Sequence, residues 1–181
     1  TVGGIEPRKG SLQLLEAYAL LHADLPGTRL VIAGGETLFD YRDYRTRCEL
    51  RATQLGIEPV VLGPVDHDSL PALVAAAGAF AFPSTKEGFG LAAMEALAAG
   101  VPLVMSSLPV LRDIFTGAAR FADGPAELAA QLNAALTEPD TSAQEAGRLL
   151  AARHTWSAAA QHHLDLYQRL GLSQNRPDRI R

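Results

Sequence analysis

From Gly88 to Leu111 the chain carries a single charge, Glu95. Ser84 to Ser106 reads as a loop, a helix and a strand. Gly88 and Gly90 loosen the backbone ahead of the apolar run. The spacing predicts a helix from about Gly90 to Ala99, ended by Gly100 and barred from continuing by Pro102. Val101 to Met105 then reads as a buried strand. A helix without a polar face is a buried helix, covered on both sides.

Two carboxylates mark this stretch. Glu87 precedes the helix; Glu95 lies within it, on one stripe with Leu91 and Ala99. The sequence thus predicts that Glu95 is buried, and a buried carboxylate needs hydrogen-bond donors. The hydroxyl groups of a ligand could supply them, and so could an arginine on a neighbouring helix or a helix cap. Glycines at a helix N-terminus let backbone N–H groups approach an anion, with the helix dipole in favour. Glu87 would repel a phosphate there, so the sequence requires a cation close by, Lys86 or another.

The rest of the chain alternates strands and helices. Thr1 to Ile5 reads as a first strand, Glu6 to Gly10 as a turn, and Ser11 as the N-cap of a helix reaching about Ala23. Pro26-Gly27 breaks it, and Thr28 to Ala33 forms a second strand ending at Gly34-Gly35. Thr37 to Tyr44 is an aromatic loop, followed by a helix from Arg42 to Leu55 that closes at Gly56; its arginines Arg45, Arg47 and Arg51 read as a solvated face. Pro59 to Leu62 is a third strand. Asp66 or Asp68 can cap the next helix, whose buried face is Leu70, Leu73, Val74 and Ala77. Ala79 to Phe82 is a fourth strand and Ala118 to Phe121 a sixth. Helices are predicted over Pro125 to Leu136, Thr141 to Arg153, and from Thr155-Trp156-Ser157 to about Leu170. The fold class expected is α/β, a doubly wound parallel sheet over residues 1–171, with a disordered polar tail over 172–181.

Composition bounds the function. The chain has 181 residues, enough for one domain with a sizeable core. A formal charge of −4 argues against a general nucleic-acid binder. No apolar run reaches the roughly 18 residues of a membrane span. The one cysteine, Cys48, excludes an internal disulfide framework and fits a reducing, cytoplasmic setting. His67 between Asp66 and Asp68 reads as surface beside a cap, and His162 and His163 point in different directions on their helix. Only two lysines, Lys9 and Lys86, stand against fourteen arginines.

Several motifs in order carry a family resemblance over nearly the whole chain. Glu87-Gly-Phe-Gly-Leu-Ala-Ala-Met-Glu95 resembles the E-x7-E signature of retaining glycosyltransferases of family 4, which have the GT-B fold. Val2-Gly-Gly-Ile-Glu-Pro-Arg-Lys-Gly10 resembles that family's first-strand loop, Leu30 to Gly35 its second strand and glycine turn, and Val60 to Val65 its third strand and base-binding loop. The resemblance implies a C-terminal, donor-binding Rossmann-like half, working with a missing N-terminal acceptor-binding domain. It implies a nucleotide-diphosphate sugar as substrate, no cofactor and no metal. Membrane association would come only through the missing half or the acceptor. Glu95 would accept from the ribose hydroxyls and Glu87 would orient the sugar. Gly88, Phe89, Gly90 and Leu91 would frame the sugar and distal phosphate with backbone N–H groups. Lys9, with Arg8, would neutralise the diphosphate, and Gly63 and Val65 would contact the base through the backbone. The family usually has an arginine where this chain has Gly4, a departure that bears on the phosphate contacts.

Other readings compete. Paired carboxylates serve glycoside hydrolysis, but there they are presented at strand ends rather than within a helix. Nicotinamide binding requires a G-x-G-x-x-G turn, which Gly3, Gly4 and Gly10 do not make. A nucleotide-sugar-binding module without catalysis also fits, with Gly4 as its best support. The last helix, with Trp156, Leu164 and Tyr167, resembles the segment that returns to the missing half, which predicts exposed apolar surface.

Overall fold

A computed structural model describes residues 1–34 and 40–171. Gly35, Thr37 and Phe39 of the expected glycine turn and aromatic loop, and the predicted tail, lie outside the described residues. The elements in chain order are α1 (Ser11–Asp24), β1 (Val31–Ala33), α2 (Arg42–Leu55), β2 (Val60–Gly63), α3 (Leu70–Ala75), β3 (Phe80–Phe82), α4 (Leu91–Ala98), β4 (Leu103–Ser106), α5 (Pro109–Phe115), β5 (Arg120–Ala122), α6 (Pro125–Thr137), α7 (Thr141–Arg153) and α8 (Trp156–Arg169). All strand pairs are parallel: β1 with β2, β3 with β4, and β4 with β5. Parallel neighbours require crossovers, which the intervening helices supply.

The sheet is wound on both faces, and the pleat shows it. Phe80, Phe82, Leu103 and Met105 point into one apolar cluster with Ala93, Leu97, Leu111 and Phe115. Their neighbours Ala81 and Val104 point into the other, with Leu14, Tyr18, Cys48, Leu128 and Leu132. Alternation with period two in strands that are buried throughout is the signature of a sheet with helices on both sides. The α/β, doubly wound expectation therefore holds.

Several boundaries differ from the sequence reading. The first strand contracts to an isolated bridge between Val2 and Ala33, because Gly3 turns away at φ 138°. The ladder divides there, leaving β2–β1 and β3–β4–β5 as separate sheets among the described residues. A cavity of about 530 Å³ lies between them, lined by Val2, Leu30, Phe80 and Leu136 among others. Ser11 does not cap α1; the N-cap is Gly10, and Ser11 is buried in the first turn. Neither Asp66 nor Asp68 caps α3 through its side chain, since Ser69 takes the N-cap position. Of the face expected for α3 only Val74 is fully buried. The helices α2 and α7 keep their predicted limits, α2 closing at Gly56 with φ 66°.

Candidate functional site

The C-terminal ends of β1, β2 and β3 form one rim, and tight backbone approaches lock it. The N–H of Gly34 donates to the carbonyl of Gly63 at 2.9 Å. A Cβ on Gly34 would lie 2.1 Å from the carbonyl oxygen of Gly3, so only glycine fits. After Gly3 the chain makes a 3₁₀ turn, Pro7–Lys9, which ends at Gly10 in the left-handed region, φ 66°. A Cβ on Gly10 would stand 2.0 Å from the carbonyl oxygen of Pro83. The two loops are further joined where the Thr85 N–H donates to the Arg8 carbonyl at 2.8 Å.

This joint brings together residues almost eighty positions apart. Oε1 of Glu87 accepts from Lys9 Nζ at 2.8 Å, from Ser84 Oγ at 3.0 Å and from Arg8 Nη1 at 3.1 Å. Arg8 Nη2 donates to Glu6 Oε1 at 2.7 Å. The Lys9 ammonium also sits 5.1 Å from the ring centroid of Phe82, a favourable placement over a buried aromatic face. The Glu87 and Glu6 side chains are 10% and 11% exposed, while Arg8 remains 44% exposed. Two carboxylates and two cations thus share a partly shielded corner, each charge with an opposite partner.

The sequence-predicted residues divide accordingly. Lys9, Arg8 and Glu87 are in direct contact. Lys86 is exposed, and the cations at Glu87 are Lys9 and Arg8 instead. Gly88 is open, with nothing within 4 Å of where a Cβ would stand. Phe89 is half-buried, its ring 5.6 Å from that of His154. Gly90 is the N-cap of α4 at φ 93°, and α4 starts without a side-chain cap, so no cap side chain takes up its first N–H groups. Leu91 is 59% exposed. Gly63 and Val65 stand at the end of β2 and just beyond it, both partly exposed.

Glu95 requires a correction. It is exposed, not buried. α4 buries Ala93, Met94, Ala96 and Leu97, while Leu91, Glu95 and Ala98 are open to solvent. The open face is itself poor in polar residues, which makes the helix look buried on all sides in the sequence. Glu95 therefore needs no buried donor, and its oxygens are free to meet a ligand from solution.

Two residues of this corner are not singled out by sequence. Ser84, 1% exposed, holds Glu87 from below; a serine three residues ahead of a loop glutamate is too common a pattern to notice. Glu6 reads as an ordinary turn residue, and only the fold shows its carboxylate against Arg8.

The sequence matches the family described as Glycosyl transferases group 1 over residues 1–151. The chain belongs to that family. It is 34% identical over 175 residues to a glycogen synthase of Mycobacterium tuberculosis, covering 92% of this chain and 41% of the relative. It is 33% identical over 178 residues to a D-inositol 3-phosphate glycosyltransferase of Corynebacterium kroppenstedtii, covering 92% and 39%. Among solved structures, sucrose-phosphate synthase from Thermosynechococcus elongatus superposes with a TM-score of 0.81 at 24% identity, over 96% of this chain and 45% of that one. Anabaena Alr3699/HepE, solved in complex with UDP and glucose, superposes with a TM-score of 0.78 at 23% identity, over 94% and 47%. The chain thus spans less than half the length of these relatives, and its α/β fold with parallel strands matches part of GT-B structures. Among the described residues no helix is long and apolar enough to cross a membrane, and no group of three or more His, Cys, Asp or Glu side chains could hold a metal ion.

Proposed function

We propose that this chain is the donor-binding half of a retaining glycosyltransferase of family 4, moving a sugar from a nucleotide-diphosphate sugar to an acceptor held by a second domain. The observation that carries the reading is the corner where Lys9 and Arg8 converge beside Glu87, at the strand C-terminal rim and ahead of an uncapped helix N-terminus. Ligands of doubly wound sheets bind at that rim. Departure of a nucleoside diphosphate concentrates negative charge on phosphate oxygens, and prealigned cations and backbone N–H groups stabilise it.

The roles follow from position. Lys9 has three donors and spends one on Glu87, leaving two for phosphate oxygens. Arg8 is half in solvent and can turn a guanidinium edge to the same group. It offers the second cation that Gly4 does not supply. Backbone N–H groups of Phe89, Gly90 and Leu91 face the distal phosphate or sugar. Glu95, one turn further along the open face of α4, accepts from two vicinal ribose hydroxyls, for which an acceptor-only carboxylate is suited. Glu87 orients the sugar. Gly63 and Val65 contact the base through their backbone, and no metal is needed. The open face of α8, with Trp156 83% exposed, is the surface that meets the acceptor-binding half.

The reading is tested on the full-length protein and on this chain together. Full-length protein with its donor gives product of unchanged anomeric configuration by NMR, and this chain alone gives no transfer. An inverted product, or transfer by this chain, contradicts the proposal.

A further inference from the structure

We infer that Glu6 sets the charge and orientation of the anion seat formed by Arg8 and Lys9, acting as a positioning residue through Arg8. The inference rests on the donor-binding reading above. Glu6 is fixed by its backbone, whose carbonyl accepts from the Lys9 N–H at 3.1 Å and from Ser11 Oγ at 3.5 Å. Its carboxylate is turned inward, 11% exposed, and engages Arg8 Nη2 at 2.7 Å. The other terminal nitrogen of Arg8 reaches Glu87, 79 positions away, at 3.1 Å. A pair that merely stiffened the turn would not need the guanidinium to span two carboxylates on two loops. The span holds the Arg8 guanidinium between two carboxylates, one of them shared with Lys9, while the side chain stays 44% exposed.

The consequence is electrostatic. Glu6 and Glu87 balance Arg8 and Lys9, so the seat is neutral before a ligand arrives. An incoming diphosphate gains less than two free cations would give it, and a departing one is released more readily. Glu6→Gln keeps an acceptor oxygen for Arg8 Nη2 but removes one negative charge. For one charge within ~8 Å of the ligand in this partly shielded corner, with an effective dielectric of about 30–60, Coulomb's law gives an affinity gain of about three- to tenfold.

The test is calorimetric titration of wild type and Glu6→Gln with inorganic pyrophosphate, which reads the seat without base or ribose, and with UDP, GDP and ADP. Each is run at low salt and near 0.5 M salt, where the Debye length falls to about 4 Å. The expected result is tighter pyrophosphate binding by Glu6→Gln at low salt, a gain that shrinks at high salt. Wild type, with its neutral seat, changes about twofold or less over the same range; this comparison stands even if the variant does not fold. Unchanged or weaker binding by Glu6→Gln, a gain indifferent to salt, or a steep salt dependence in wild type overturns the inference. Pyrophosphate binding that responds as expected while no nucleotide binds overturns the donor reading and leaves the role of Glu6 standing. Failure of wild type and variant to bind any of these ligands overturns both.

Discussion

Gly10→Ala strikes the joint that builds the site. Two costs add. At φ 66° an alanine in the left-handed region loses roughly 1–2 kcal/mol. The new methyl would also stand 2.0 Å from the Pro83 carbonyl oxygen and 3.0 Å from its carbon. The two nearest atoms are Pro83 backbone, not the end of a flexible side chain that could swing away, and overpacking of this kind costs about 1–3 kcal/mol. The expected loss is therefore about 2–5 kcal/mol. Gly56→Ala separates the terms, because Gly56 has the same φ of 66° with nothing within 4 Å; it should lose only the dihedral part. Gly27→Ala has open space and no positive φ, and should be neutral or slightly stabilising. Urea unfolding followed by circular dichroism reads all three. With a slope near 2 kcal/mol per molar urea, Gly10→Ala lowers the midpoint by about 1–2.5 M. The Pro83 side of the clash also carries Ser84 and Glu87, so the surviving folded protein should bind nucleotide more weakly. A Gly10→Ala midpoint equal to that of Gly56→Ala would refute the steric reasoning.

Other substitutions and conditions test separate parts of the account. Lys9→Met removes the closest cation from Glu87 and should weaken nucleoside diphosphate binding by about tenfold or more, as loss of a charged hydrogen bond does; unchanged affinity in a titration would remove Lys9 from the site. Burial pushes the Cys48 thiol and the Tyr44 hydroxyl above their ordinary ranges. Both groups ionise first in the unfolded chain, so that state binds fewer protons and stability falls as pH rises through the ordinary thiol and phenol ranges. Burial lowers the Thr1 ammonium to about 6, which acts in the opposite sense below about pH 8; urea midpoints at about pH 8.5 and pH 10 therefore check the sign, and a higher midpoint at pH 10 would contradict it. Glu95→Ala, at an exposed position, should change stability by no more than about 0.5 kcal/mol, in contrast to Glu87→Ala, which leaves Lys9 and Arg8 without their shared acceptor.

How much of the fold and site is legible in the sequence depends on what each signal measures. α2 and α7 carry their own start and stop chemistry, Gly56 at one end and Asp140 at the other, and their limits match. Most strands are shorter than the sequence predicts, because apolar runs such as Val101 to Met105 begin before the residues that pair, and Leu103–Ser106 joins the ladder; β2 keeps its expected length but runs one residue later, Val60–Gly63. The first strand is cut short because Gly3 and Gly4 look extended in sequence, whereas Gly3 turns at φ 138°. The sequence does single out the loops carrying Lys9, Arg8 and Glu87, but their mutual contact depends on the Gly10–Pro83 approach, which no local pattern encodes. For Glu95 the sequence gives the right helix and the wrong side. Hydrophobicity reports only that Leu91, Ala98 and their neighbours are apolar, and does not tell a face that packs from one that waits for a ligand.

The central claim is that the open face of α4 and the Lys9 corner hold a nucleotide. Titration with UDP, GDP and ADP, of this chain and of the full-length protein, with and without Glu95→Ala, tests it most directly. Saturable binding of one nucleotide is expected, weakened about tenfold or more by Glu95→Ala because two hydrogen bonds to a carboxylate are lost. Binding indifferent to Glu95→Ala, or no binding by either protein at millimolar nucleotide, would contradict it.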